Sequence, residues 1–229
     1  MIRIEFAGET LLLDPAGVLV WPARELLCVA DLHLEKGSHF AAAGRGMPPP
    51  YDTRETLLRL APLLRRHAPR RLVMLGDSFH DREGPARLHP LDRALLHDVT
   101  AAVETVWVLG NHDPEAPRGL RGESAAEWLE PPLVFRHIGG GAGFEISRHL
   151  HPRAGAATRA GVVRRPCFVV GQCRVLLPAF GAYTGGLDVE AAAIATLFPG
   201  ATRVFLLGDG RLHAFPRRFS DRAEQPGLL

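Results

Sequence analysis

The sequence predicts an α/β fold of four layers, helix–sheet–sheet–helix, in which two mixed β-sheets lie between outer helices. Short apolar runs rich in β-branched residues recur along the chain, and each is typical of a buried strand. Amphipathic stretches at residues 51–66, 90–102 and 188–197 predict helices that cover the sheets. Because no linker-like segment divides the sequence, we expect a single domain over residues 1–229, with a flexible tail from about residue 220.

The predicted strands form an opening meander, a central group and a late group. In chain order they cover residues 2–6, 10–13, 17–20, 26–30, 72–75, 106–109, 133–135, 144–147, 162–170, 174–177 and 202–207. A loop that ends in Pro48, Pro49 and Pro50 is too rich in proline for a helix and is a candidate mobile loop over the site. The turn-rich residues 177–186 have no assigned role at this point.

The five runs of the central group each lead to side chains of types that bind metal ions. Residues just past strand ends in an α/β fold converge on one crevice. The candidate donors are Asp31, His33, Asp77, Asn111, His137, His149 and His151. Seven donors suffice for two divalent cations that share a carboxylate, and Asp77 is the natural bridge because its carboxylate has two oxygens.

The donor types indicate the chemistry. Imidazole suits Zn, Mn, Fe and Ni, whereas carboxylate and amide oxygens suit harder ions such as Mn and Mg. A donor set without cysteine argues against a structural zinc site. Two metals about 3.5–4 Å apart can clamp a phosphoryl group and activate a water for in-line attack. The i, i+2 spacing of Asp31 and His33, and of His149 and His151, is expected to keep each pair on one side of extended backbone.

These segments resemble the sequence blocks of the calcineurin-like metallophosphoesterase superfamily. The matching residues are Asp31-Leu32-His33, Gly76-Asp77, Gly110-Asn111-His112-Asp113, His137 and His149-Leu150-His151. The resemblance implies the four-layer fold and a division of the donors between two metals. One metal would be held by Asp31, His33, Asp77 and His151, and the other by Asp77, Asn111, His137 and His149.

The same resemblance assigns catalytic roles to two neighbouring residues. His112 would be a general acid near the leaving-group oxygen, and Asp113 would orient it. Proton transfer of this kind contributes roughly 10²–10⁴-fold to a rate.

A narrower resemblance is to the bacterial ligase-associated DNA damage response endonuclease, a manganese-dependent phosphoesterase. It is carried by residues 31–38 (DLHLEKGS), 76–80 (GDSFH), 151–154 (HPRA), 177–181 (LPAFG) and 184–186 (TGG). The resemblance implies manganese as the preferred metal, with iron, zinc and nickel also compatible. It further implies a DNA substrate, a role in DNA repair, and a DNA ligase, a helicase and a second nuclease as partners.

One position departs from the superfamily pattern. The superfamily has glycine before the first histidine of its last block, where this chain has Arg148. The departure indicates either a different backbone path at His149 or an arginine that reaches toward a substrate phosphate.

Three further residues are candidates for substrate contact. Lys36 is the only lysine in the sequence and follows His33 by three residues, which suggests a need for a compact ammonium group. His80 follows Asp77 by three residues and could approach the substrate or a metal ligand. Arg153 belongs to an arginine-rich stretch that starts inside the last block.

Composition limits the functional classes. A formal net charge of +2 does not by itself predict nucleic-acid binding, and no zinc finger, helix-turn-helix or RNP signature indicates a separate DNA-binding module. Three cysteines, an odd number placed in or beside apolar runs, are expected to be buried thiols in a reducing compartment. We find no signal-peptide or membrane-spanning pattern, and therefore expect a cytoplasmic enzyme without a membrane partner.

Three functions remain open on the sequence alone. The first is a metal-dependent phosphodiesterase that acts as a DNA endonuclease, and an open cleft lined by Lys36, Arg148 and Arg153 would favour it. The second is a phosphodiesterase or phosphatase for a nucleotide-type small molecule, which an enclosed pocket would favour. The third is an inactive scaffold of the same fold, although His112 and all seven donors are present.

Overall fold

Two mixed β-sheets stack on each other in the computed structural model of the chain. The structure describes residues 1–45, 51–158 and 161–218, with only the backbone of residues 157, 158 and 216–218. The predicted loop at Pro48, Pro49 and Pro50 and the predicted tail from about residue 220 lie outside the described residues.

The first sheet contains the opening meander and the first three central strands. The neighbours from β1 to β4 are antiparallel, and those from β4 to β7 are parallel. Its strands lie side by side in chain order: β1 (Ile2–Phe6), β2 (Glu9–Leu13), β3 (Leu19–Trp21), β4 (Leu26–Ala30), β5 (Arg71–Leu75), β6 (Glu104–Val108) and β7 (Glu123–Ala125). The opening meander predicted from the sequence is confirmed, whereas β7 was not predicted.

The second sheet holds the rest of the strands. They are β8 (Glu127–Glu130), β9 (Leu133–Ile138), β10 (Phe144–Arg148), β11 (Arg153–Thr158), β12 (Gly161–Val170), β13 (Arg174–Leu176), β14 (Ala201–Leu207) and β15 (Leu212–Arg218). Across the sheet the order is β15-β14-β12-β13-β10-β9-β8, and β11 pairs with β12 outside this path. Only the β9–β10 and β10–β13 pairs are parallel. Strands β8, β11 and β15 were not predicted from the sequence.

Helices flank the sheets unequally. The described helices are α1 (Lys36–Ala42), α2 (Asp52–His67), α3 (Gly84–Arg87), α4 (Pro90–Ala101) and α5 (Ala192–Ala195). None of these helices has the length and apolar character that a bilayer crossing requires. Strands β4, β5 and β6 pack on α2 and α4 through one buried cluster, which includes Leu57 of α2 and Leu96 of α4.

The helix predicted at residues 188–197 is wrong in length, because only the four residues of α5 are helical. The backbone N–H of Val189 donates to the carbonyl of Arg153 at 2.8 Å, and Asp188 forms a β-bridge with Arg153. This strand-like pairing keeps residue 188 in a β-bridge, so that a helix does not begin there. The outer layer on the second sheet is therefore thin.

A second buried cluster fills the space between the two sheets. It includes Phe6 and Val73 from the first sheet and Phe135, Phe168 and Phe205 from the second. Burial of these side chains is the main favourable contribution to stacking the sheets. The predicted α/β sandwich of two mixed sheets is confirmed.

The cysteines differ from the prediction in one case. Cys28 and Cys167 are buried within β4 and β12, but Cys173 is exposed. Cys173 lies in the short turn between β12 and β13. The apolar residues near it in the sequence are therefore not enough to bury it.

We expect Phe168→Ala to lower the free energy of unfolding by about 3–5 kcal/mol, because it opens a cavity between the sheets. Val162→Ala on the same strand is the matched control, since Val162 is 69% exposed. That control should change the free energy by no more than about 0.5 kcal/mol. Urea unfolding followed by circular dichroism measures both values, and equal losses for the two variants would contradict this account of the core.

Candidate metal centre

The loops after β4 and β5 bring the first three predicted donors together. Asp31 and His33 follow β4, and Asp77 follows β5, its parallel neighbour. The backbone N–H of His33 donates to the carbonyl of Asp77 at 2.9 Å, and that of Leu34 donates to the carbonyl of Ser78 at the same distance. The two loops are therefore joined by backbone hydrogen bonds at the residues that carry the candidate donors.

Five of the predicted donors have a left-handed backbone, which side chains other than glycine rarely adopt. Their φ angles lie between 34° and 96°, and the residues are Asp31, His33, Asp77, His149 and His151. The expectation of extended backbone at the two i, i+2 pairs is wrong: the chain turns sharply after each strand instead. Local strain of this kind, of order 1–3 kcal/mol per residue, concentrates at functional sites.

The donors form two groups, of which the first surrounds Asp31. Its Oδ1 atom lies 3.0 Å from His151 Nε2 and 3.6 Å from His33 Nε2. The two imidazole nitrogens are 3.4 Å apart.

The second group surrounds His137. Its Nε2 atom lies 2.5 Å from Asn111 Oδ1 and 3.0 Å from His149 Nδ1. Asp77 Oδ2 lies between the groups, 3.9 Å from His33 Nε2 and 4.0 Å from His137 Nε2. This position is the one that a bridging oxygen would require.

The separations within each group, 2.5–3.6 Å, are near those of metal ligands. Two donor atoms that each lie ~2.1 Å from one ion are about 3.0–3.4 Å apart in octahedral or tetrahedral geometry. Each three-residue set, Asp31/His33/His151 and Asp77/His137/His149, also has its donor atoms within 4.8 Å of one another. The structure therefore brings all seven predicted donors into one site that fits a pair of divalent ions.

Burial keeps the histidine donors neutral, which is the protonation state that metal ligation needs. Burial, with nearby histidines, lowers the pKa of His33 to about 2 and that of His137 to about 3. Burial first, and then the charge of Arg148, lowers the pKa of His151 to about 3. These imidazoles are consequently neutral at physiological pH and have a lone pair available. Burial raises the pKa of Asp77, because its carboxylate is removed from water.

A bulge in the second sheet turns His137 toward the site. The sequence predicted that His137 follows the strand, but His137 lies inside β9. The register between β9 and β10 shifts at Ser147/Arg148, so that Ser147 faces Arg136 while Arg148 faces Ile138. His137 is the extra residue, and bulges commonly redirect a side chain next to an active site.

His112 stands beside the first donor group. Its Nδ1–H donates to the carbonyl of His80 at 2.8 Å, and its ring centroid lies 5.1 Å from that of His33. Its backbone N–H donates to Asp77 Oδ1 at 3.0 Å. This placement leaves Nε2 as the ring nitrogen that could exchange a proton with a substrate.

The Asp113 carboxylate is engaged by backbone groups of two loops. Its carboxylate accepts the backbone N–H groups of Gly110 at 3.0 Å and Phe79 at 3.1 Å. Among the described residues no hydrogen bond joins it to His112, whose orientation is set by the His80 carbonyl. Asp113 instead ties the loop after β6 to the loop after β5, and burial raises its pKa to about 7.

Two of the predicted substrate contacts lie at the rim of the site. His80 Nδ1 is 3.3 Å from His33 Nδ1, and burial lowers the pKa of His80 to about 4. Lys36 is half-buried, and its Nζ donates to the carbonyl of Tyr183 at 2.9 Å. The third candidate, Arg153, has its guanidinium directed at the carbonyl of Arg164 on β12, 3.5 Å away.

Residues 177–186, to which the sequence assigned no role, form part of the rim. The backbone N–H groups of Phe180 and Gly181 donate to the carbonyls of Ala30 and Asp31 at 2.8 and 2.9 Å. A side chain at Gly181 would collide with the carbonyl of Leu32. This close approach explains the glycine of the LPAFG segment.

Comparisons with known proteins show which family the chain belongs to. Residues 25–156, more than half of the chain, match the calcineurin-like phosphoesterase family. The chain belongs to that family. It is similar to a Pseudomonas putida nuclease, MPE, with 30% sequence identity and a TM-score of 0.72 over 93% of this chain and 99% of the nuclease.

Two other comparisons add no further assignment. A phosphoesterase from E. coli, Yfce, aligns at 16% identity and a TM-score of 0.43, over 85% of this chain and 99% of that protein. Curated protein sequences give no significant match. As a member of the calcineurin-like phosphoesterase family, the chain is a metal-dependent phosphoesterase.

The structure contradicts the predicted substrate contact of Arg148, the residue in place of the family glycine. Its side chain is fully buried, and the guanidinium points at Asp31 and Asp77, away from solvent. The bulge that turns His137 inward also turns Arg148 inward. Despite the substitution, His149 remains within reach of His137 and Asp77.

Single-ligand variants should separate the two metal positions. We expect Asp77→Ala to lose both ions, because Asp77 Oδ2 lies between the donor groups, whereas His149→Ala and His151→Ala should each lose one. Metal content at saturating Mn²⁺, measured by equilibrium dialysis and elemental analysis, tests this. The control is Asp98→Ala, which removes an exposed carboxylate. Retention of both ions in Asp77→Ala would rule out a shared carboxylate.

The stability of the metal-free protein should depend on Asp113. Its pKa is about 7 in the folded protein and about 3.9 in the unfolded chain. The folded state thus binds the proton more tightly, and this contribution is complete below pH 4 and lost as pH rises through 7. In EDTA we expect the stability of wild type relative to Asp113→Asn to fall by on the order of 1–4 kcal/mol between pH 4 and pH 8, because only the carboxylate loses a proton. The amide cannot accept both backbone N–H groups, so a constant offset between the two proteins is expected as well. Urea unfolding at both pH values measures the change, and a pH-independent difference would contradict it.

Proposed function

We propose that the protein is a dinuclear-metal phosphodiesterase that cleaves DNA as an endonuclease, with manganese as the working metal. The observation that carries the proposal is the Asp77 carboxylate, which lies between two groups of candidate metal ligands. Ions held there would supply Lewis-acid activation of water and of the phosphate for in-line displacement. The seven donors would hold them as the resemblance implies, four to each ion with Asp77 shared.

In this proposal His112 gives a proton to the leaving oxygen. Its Nδ1–H is engaged by the His80 carbonyl, which fixes the ring and leaves Nε2 to hold and transfer the proton. His112 is half-buried and Asn111 beside it is exposed, so that this face of the site is open to solvent. An open face suits a polymer whose backbone passes across the site.

Lys36 is the proposed contact to a non-bridging phosphate oxygen. Its ammonium group is tethered to the Tyr183 carbonyl on the rim, and burial lowers its pKa. His80 extends the same rim beyond His112, with 4.9 Å between the ring centroids. Arg153 is retained only as a contact to more distant phosphates, because its guanidinium lies along β12.

The similarity to Pseudomonas putida nuclease MPE supports a nucleic-acid substrate over a small one. By the narrower resemblance of its motifs, we propose that the chain acts in DNA repair in the cytoplasm. A DNA ligase, a helicase and a second nuclease are the partners that this resemblance suggests.

The test compares three substrates with Mn²⁺: bis-p-nitrophenyl phosphate, p-nitrophenyl phosphate and a labelled single-stranded DNA. We expect wild type to cleave the diester and the DNA. His112→Ala should slow DNA cleavage by roughly 10²–10⁴-fold while leaving metal content unchanged. The effect on the p-nitrophenyl diester should be smaller, because p-nitrophenolate leaves without needing a proton.

The control is His97→Ala, which removes an exposed histidine on α4. It should cleave DNA at the wild-type rate. Diester turnover with intact DNA would favour a small nucleotide-type diester, and turnover of the monoester alone would favour a phosphatase. No turnover with Mn, Fe, Zn or Ni would indicate a scaffold, and loss of metal in His112→Ala would contradict its role as a non-ligand acid.

A further inference from the structure

Arg148 is a buried cation inside the metal centre. Its guanidinium contacts Asp31 Oδ1, and its Nη2 atom lies 3.0 Å from Asp77 Oδ2. The two oxygens are those that the geometry above assigns to metal ligation, one in the first donor group and one between the groups. The side chain is 1% exposed, so the charge is not shared with solvent.

The fold accommodates this side chain through a glycine on the opposite sheet. A Cβ atom at Gly76 would lie 2.7 Å from Nη2 and 2.8 Å from Nε of Arg148. Gly76 has a φ of +58°, which itself favours glycine. The absence of a side chain at residue 76 thus provides the space into which the guanidinium fits.

The charge of Arg148 persists in this environment. Burial lowers the pKa of the guanidinium, but arginine is not deprotonated in proteins, and two carboxylates face it here. A fixed positive charge close to two divalent ions raises the cost of binding them, because like charges repel strongly where water is excluded. It also occupies oxygens that the ions need.

The two donor groups are affected unequally. Asp31 belongs to the first group only, and Arg148 contacts the same oxygen, Oδ1, that faces His33 and His151. The second group has Asn111, His137 and His149, none of which forms an ion pair or hydrogen bond with Arg148 among the described residues.

We propose that Arg148 competes with a divalent ion for Asp31 Oδ1 and Asp77 Oδ2, so that the two metal positions load unequally. The position at Asn111, His137 and His149 binds first and tightly. The position at Asp31, His33 and His151 fills only when the guanidinium withdraws. In the metal-free protein the same guanidinium neutralises part of the buried carboxylate charge and stabilises the fold. The inference rests on the proposed two-metal site.

The test is calorimetric titration of Mn²⁺ into EDTA-treated, dialysed full-length protein, with elemental analysis of bound metal. Wild type should show one tight site and a second at least ten-fold weaker. Arg148→Gly, which restores the family residue, and Arg148→Gln, which keeps much of the length, should both tighten the second site at least ten-fold. His151→Ala should remove the weak site of wild type and leave the tight one.

Unfolding of the metal-free variants is the second readout. In EDTA, Arg148→Gly should unfold at a lower urea concentration than wild type, since Asp31 and Asp77 lose their buried counter-charge. Saturating Mn²⁺ should restore more stability to this variant than to wild type. A merely structural arginine would lower stability without changing metal affinity.

Arg174→Gln is the matched control. Arg174 is also a buried arginine of the second sheet, paired with the buried carboxylate of Glu145, but neither residue belongs to the metal centre. We expect it to lower stability and to leave both Mn²⁺ affinities at wild-type values. An equal gain of affinity in Arg174→Gln would overturn the proposal.

Two equal, tight sites in wild type, unchanged in the Arg148 variants, would also overturn the proposal while leaving the proposed two-metal function intact. Failure of wild type to bind any Mn²⁺ would overturn both. If Arg148→Gly does not fold, wild type and Arg148→Gln still decide the question. If the two Mn²⁺ affinities differ in wild type and differ by the same factor in Arg148→Gln, competition by Arg148 is excluded.

Discussion

Two carboxylates are held out of water where the two sheets meet, and the rest of the site depends on offsetting their charge. Asp31 and Asp77 follow adjacent parallel strands and are both buried. An isolated buried carboxylate is costly, so partners with positive charge or metal ions must lie close by. Neutral histidines, backbone N–H groups and Arg148 are the protein's own part of that environment.

The backbone supplies the geometry that this environment needs. Left-handed residues turn the chain at the ends of β4, β5 and β10, so that short loops direct side chains back across the strand ends. The bulge between β9 and β10 adds His137 and Arg148 from the other sheet. Apolar packing between the sheets, through residues such as Phe135 and Phe168, offsets the strain and holds the two halves of the site together.

Arg148 stands where the superfamily pattern has glycine, and it places a positive charge beside the two buried carboxylates. The donor residues match the family blocks, and the backbone still delivers His149 to the second donor group. What changes is the charge at the centre of the site, since a glycine contributes none. An internal cation makes the carboxylates easier to bury in the metal-free protein and harder to share with two ions. Stability and metal affinity are therefore opposed at one residue.

Much of the fold could be predicted because its signals are local. Short apolar runs identified β1 to β6 of the first sheet, and the helical period identified α2 and α4. Strands β7, β8, β11 and β15 were missed because their neighbours in space, and not their own pattern, pair them into the sheets. The helix predicted at residues 188–197 is shorter for the same reason, since pairing with Arg153 holds its first residue in a β-bridge.

For the site, the sequence by itself determined the types of donor and their order after the strands, because both are written in short contiguous motifs. Only the tertiary structure decided how those donors are oriented. Contacts between distant segments decide three features of the site. Asp113 binds backbone N–H groups, the His80 carbonyl holds His112, and Arg148 points inward. Such contacts are set by strand register and loop packing, which no short motif encodes.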